Sequence, residues 1–129
     1  MKHLLVAAGA CLALLMAATP ALAHQSATSN GITVTMHIAP DDEPVAGRPA
    51  TIVFISAKRR GWSLQRRSCG CRITVTDSSG DELLDRRTGS RETRLTFPRA
   101  GAYRIRISGR LQRGDRRTSF NASFTYRAS

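Results

Sequence analysis

Hydrophobic and polar residues alternate along most of this chain with a period of two, and that period predicts strands. Ile32, Val34, Met36 and Ile38 alternate with Thr33, Thr35 and His37 until Pro40 stops the run, which puts His37 on the outer face of a half-buried strand. A second strand is predicted over 50–57, with Ile52 and Phe54 on one face, after the acidic turn Asp41-Asp42-Glu43-Pro44. A third covers 69–76, with Cys71, Ile73 and Val75 facing one way and Arg72 and Thr74 the other, and ends at Asp77-Ser78-Ser79-Gly80. A short strand over 82–84 and a polar, Arg-rich connection lead to Leu95 and Phe97, which share a face. Past Pro98 and Gly101 the alternation restarts with Tyr103, Ile105 and Ile107 against Arg104 and Arg106. A loop from Gly109 to Gly114 then closes a hairpin onto a last strand in which Phe120, Ala122, Phe124 and Tyr126 share a face. Residues 24–30 read as loose, and 58–67 as a basic loop. The pattern holds no helical period and no internal repeat. About seven strands close most naturally as two packed sheets.

The corner at Pro98 to Gly101 refines the fold class. A Tyr just after such a corner can bury its ring and return its hydroxyl to nearby backbone, the tyrosine-corner arrangement of immunoglobulin-like sandwiches. The expected fold is therefore an all-β, immunoglobulin-like two-sheet sandwich. Its core is expected to include Tyr103, Ile52, Phe54, Ile73, Val75, Leu95, Ile105, Phe120 and Phe124.

The first 23 residues change the setting. Lys2 and His3 precede an apolar run from Leu4 to Ala18, and Ala21-Leu22-Ala23 offers small residues where a signal peptidase reads. Residues 1–23 are expected to be a cleaved signal peptide and 24–129 one exported domain, periplasmic or secreted, with His24 as its new amino terminus. Ala8-Gly9-Ala10 before Cys11 would also suit a lipoprotein signal, but the apolar run continues past it. No other stretch approaches the roughly 20 apolar residues a membrane span requires. The formal net charge is +11, and of the 20 cationic side chains only Lys2 and Lys58 are lysines. Guanidinium offers a planar fork of donors to phosphate, sulfate or carboxylate, so an acidic surface or polyanion is a candidate partner, while the simpler reading is a solvated surface on which a genome rich in G and C writes Arg for Lys. Export argues against nucleic acid.

Two stretches carry candidate chemistry. In Ser68-Cys69-Gly70-Cys71, an extended strand would turn both sulfurs to one side, where two thiolates suit a soft ion, Cu(I) first and Zn(II) next. His37 or His24 would supply a third ligand if the first strand or its tail lies close. An oxidising compartment favours a disulfide instead. That bond requires Gly70 to bend the strand, since extended residues two apart sit at the upper limit of disulfide reach. Two small buried side chains are the third reading. The other stretch is Arg59-Arg60-Gly61-Trp62-Ser63-Leu64-Gln65-Arg66-Arg67, where Arg59, Arg60, Arg66 and Arg67 flank Trp62 as an anion-binding loop, or else Trp62 and Leu64 cap the sandwich. No nucleophile, histidine and carboxylate combine into a catalytic set, so an enzyme is not expected.

The runs Ile38-Ala39-Pro40, Glu43-Pro44-Val45-Ala46-Gly47-Arg48-Pro49-Ala50-Thr51-Ile52-Val53-Phe54 and Thr96-Phe97-Pro98-Arg99-Ala100-Gly101-Ala102-Tyr103 resemble the YtkA-like group of small exported immunoglobulin-like domains. The resemblance covers most of residues 24–129 and rests on turn and core positions. It implies copper handling outside the cytoplasm, as for the CopC-like domains with which the group is compared. CopC-like chains begin with a His that helps bind Cu(II), the position His24 holds. The expected function is thus a non-enzymatic accessory protein that binds or delivers a transition metal, copper first, through Cys69 and Cys71 with His37 and His24, in partnership with a copper-dependent or envelope protein. The alternative is a structural or adhesive module whose Arg-rich face binds a protein or polyanion.

Overall fold

A computed structural model describes residues 24–59, 62–63, 71–88, 90–113 and 115–129. Every element in them is a strand: β1 Gln25–Ser29, β2 Ile32–Ala39, β3 Pro49–Arg59, β4 Trp62–Ser63, β5 Cys71–Asp77, β6 Glu82–Thr88, β7 Glu92–Thr96, β8 Gly101–Arg113 and β9 Arg116–Ala128. One sheet runs β1-β2-β3, with β4 and β7 sharing the far edge of β3, and the other runs β6-β5-β8-β9. All pairings are antiparallel. No helix among the described residues is long and apolar enough to cross a membrane.

The two inner faces meet in one core. Ile32, Val34, Met36, Ile38 and Ile52 from the first sheet pack with Ile73, Val75, Tyr103, Ile105, Ile107, Phe120 and Phe124 from the second, all but excluded from water. Each such side chain contributes about 2 kcal/mol on burial. Of the expected core residues, Phe54 and Leu95 are only partly buried against this cluster, and Phe97 is wholly buried beside them. The tyrosine corner forms: the Tyr103 hydroxyl donates to the Arg99 carbonyl at 2.6 Å and accepts from the Arg99 N–H at 3.2 Å.

Several boundaries differ from the reading of the sequence. Residues 24–30 are not loose: β1 pairs with β2 from Ser29↔Ile32 to Gln25↔Met36 across Asn30 and Gly31, both at positive φ (50° and 73°). Asn-Gly favours the two-residue type I′ turn whose twist matches a hairpin. The hairpin over 109–114 is tighter than expected, because β8 continues to Arg113 and pairs with Arg116. Gly109 is a strand residue on the inner face, where an added Cβ would lie 2.9 Å from the Cys71 sulfur and 3.0 Å from the Phe120 ring. It marks close packing rather than a turn. β6 extends through Thr88 into the Arg-rich connection, since an edge strand tolerates polar side chains on both faces. The basic loop begins later than expected, with Lys58↔Ser63 and Arg59↔Trp62 still paired.

Candidate metal centre

The open end of the β1–β2 hairpin builds the site. Cross-strand partners on its outer face are hydroxyl pairs, Thr28 with Thr33 at 2.9 Å and Ser26 with Thr35 at 2.8 Å. One further step of the same register brings His24 opposite His37. Their rings meet edge to face, with centroids 4.9 Å apart and planes at 83°. His24 is exposed, whereas the His37 side chain is 17% exposed.

The turn after β2 adds a carboxylate. Asp42, at φ 64°, folds back so that its N–H donates to the Ile38 carbonyl at 2.7 Å and its Oδ1 accepts from the Ile38 N–H at 2.6 Å. Asp is among the few residues that adopt this left-handed conformation readily. Its Oδ2 then lies 2.7 Å from His37 Nδ1 and 3.6 Å from His24 Nδ1. A carboxylate doubly anchored in this way cannot swing aside, and it orients the His37 ring. The chain's last residues pin the turn from below: Ser129 N–H donates to the Pro44 carbonyl at 3.0 Å and Ala46 N–H to the Ser129 carbonyl at 2.8 Å. Under the site, buried Tyr126 donates to the Met36 carbonyl at 3.3 Å. Burial, and then the charge of Asp42, hold its phenol well above the ordinary value.

His24, His37 and Asp42 each offer a ligand atom, all within 4.8 Å of one another, the one such group among the described residues. Two imidazoles and a carboxylate form a nitrogen and oxygen donor set that suits Cu(II), Ni(II) or Zn(II). Of the sequence candidates, the fold brings His24 and His37 together. It adds Asp42, which the pattern showed only as a turn residue; the clue was an Asp a few positions past a strand-ending Pro.

Cys71 lies elsewhere. It opens β5 on the inner face of the second sheet, beneath Gly109, and its sulfur is disulfide-bonded, so it carries no thiolate in this state. The Gly109 end of β8 is six residues from Tyr103, whose partner Tyr126 underlies the histidines. By strand rise that is about 20 Å along the sheet. Cys69 lies outside the described residues. So do Arg60, Arg66 and Arg67 of the basic loop; Arg59 and Trp62 are placed only as paired backbone at the ends of β3 and β4. Arg72, Arg104 and Arg106 are outward and exposed, as the alternation predicts. No family model, curated protein or solved structure matches the chain.

Proposed function

We propose that this chain is an exported, non-enzymatic immunoglobulin-like domain that binds copper as Cu(II) on His24, His37 and Asp42. The observation that carries the reading is the convergence of these three side chains at one end of a hairpin. The export pattern supports it further: cleavage after Ala23 would give His24 a free α-amine, so that one residue could offer both amine and imidazole nitrogen. Nitrogen-rich sites rank Cu(II) first among the first-row divalent ions. The immunoglobulin-like reading is supported by strand order: the connections from β4 to β5, β6 to β7 and β7 to β8 change sheets, and the last of them carries the tyrosine corner. In this reading the Cys71 disulfide is structural, and the copper goes to or comes from a copper-dependent or envelope protein.

Competition titration of the exported protein tests the site. About one Cu(II) per chain is expected, with affinity falling as pH drops because neutral imidazoles and a free amine are required. His24→Ala or His37→Ala removes most of the affinity, and Asp42→Asn lowers it about 10- to 100-fold. Affinity unmoved by both histidine changes overturns the assignment. Uptake of Cu(I) only after reduction, abolished by Cys71→Ser, moves the metal to the cysteines.

A further inference from the structure

The outer face of the β6-β5-β8-β9 sheet is an arginine surface built across strands. Register aligns Arg72 with Arg87 on one side and Ser108 on the other, and Arg106 with Thr74 and Ser123. Arg104, Arg110, Arg117 and Arg127 extend the same face, all exposed. Its acidic members are Glu82 and Asp85, and Asp85 is engaged by Arg72 through both carboxylate oxygens. Among the described residues, none of the other six arginines has a carboxylate within ion-pair reach. Where Arg72, Arg87 and Arg110 converge with Ser108 and Ser119, the surface sinks into an open concavity of about 480 Å³.

The chemistry of this face selects phosphate. Guanidinium forks and hydroxyl donors match phosphate oxygens, and an array of unpaired like charges is relieved only by counter-charges. Among the described residues this face carries no exposed aromatic ring on which a sugar or base could stack; Phe120, which borders the concavity beside Gly109, is 2% exposed and belongs to the core. Among the described residues it also presents no exposed large apolar side chain to insert into hydrocarbon; Val45, the one such residue, sits in the turn after β2. The charges extend in two dimensions, about 20 Å along β8 from Arg104 to Arg110 and about 14 Å across four strands by strand geometry. A linear polyanion follows one line of charges, whereas a headgroup layer meets them all.

We infer that this face docks on an anionic phospholipid surface, with headgroup phosphates as ligands and one of them seated in the Arg72, Arg87 and Arg110 concavity. The site is independent of the copper reading. His24 and His37 belong to the outer face of the opposite sheet, so a docked molecule keeps them turned toward solvent.

Flotation of the protein, purified with chelator, on vesicles of phosphatidylglycerol and phosphatidylcholine tests the inference. Binding is expected at low salt, lost at high salt, and absent on phosphatidylcholine alone. Arg106→Gln with Arg110→Gln is expected to weaken it about 10-fold or more. Arg48→Gln with Arg94→Gln, an equal loss of charge away from this face, leaves it within about threefold by the same reasoning. Circular dichroism confirms that both variants fold. Equal losses in the two variants would mean that net charge alone acts, and the inference fails. It fails too if heparin is bound and vesicles are not.

Discussion

Tyr103 shows how much one hydroxyl can organise. Its ring sits 4.7 Å from that of Phe97, while its oxygen satisfies both the N–H and the carbonyl of Arg99. Tyr103→Phe keeps the ring and strands both backbone groups at a part-buried corner. A loss of about 1–2 kcal/mol is expected, read as a lower denaturation midpoint; an unchanged midpoint would mean that water replaces the bond at no cost. Tyr103 was legible because Pro98 and Gly101 mark the corner beside it. Asp42 was not, because an acidic residue in a turn looks the same whether it faces solvent or two imidazoles. Gly109 hides its role for a related reason: glycine signals a turn in one dimension, and only the neighbouring Cys71 sulfur and Phe120 ring show that it yields space.

At the scale of elements, the β1–β2 hairpin carries the candidate site, and the Asn30-Gly31 turn sets its register. A turn of different length would shift the pairing, and a shift of one residue would turn His37 and His24 away from each other. Gly31 lies at φ 73°, where a β-branched residue is strained by about 1–2 kcal/mol. Gly31→Val is therefore expected to release β1, with the amides of Gln25–Ser29 losing hydrogen-exchange protection while those of β8 and β9 keep theirs. Retained protection in β1 would show that its side-chain bonds to β9, Ser29 Oγ accepting from the Asn121 N–H at 3.0 Å and Gln25 donating to the Thr125 carbonyl at 3.0 Å, hold it without the turn.

Across the whole molecule, Tyr126 links the sheets: it belongs to β9 and donates to the backbone of β2 beneath the histidines. Its phenol is raised first by burial and then by Asp42. The folded value thus lies above the unfolded one of about 10, so its contribution to stability is complete below that pH and is lost as pH climbs beyond it. Alkaline unfolding of Tyr126→Phe is expected to have a shallower pH dependence than that of the parent, and identical limbs would contradict the linkage. Asp85 acts in the opposite direction. Its hydrogen bond to Arg72 lowers its pKa, so that contribution is present above the ordinary carboxylate range and lost as pH falls through the folded value. Arg72 is exposed and Asp85 only partly buried, so salt screens the pair.

The sequence alone determined what is local. Alternation in Ile32 to Ile38, Ile73 to Val75 and Tyr103 to Ile107 chose strand and face, because a pleat repeats every two residues whatever it pairs with. It placed His37 outward and Tyr126 inward without any knowledge of their neighbours. The fold decided what is joined. His24 and His37 are thirteen positions apart and meet only through a hairpin register. Asp42 reaches them only because its turn is tied to Ile38 and to Ser129. The arginines form one surface because antiparallel register sets distant residues side by side. Such contacts depend on which strand lies beside which, a choice made by burying two faces against each other, and no period along the chain records it.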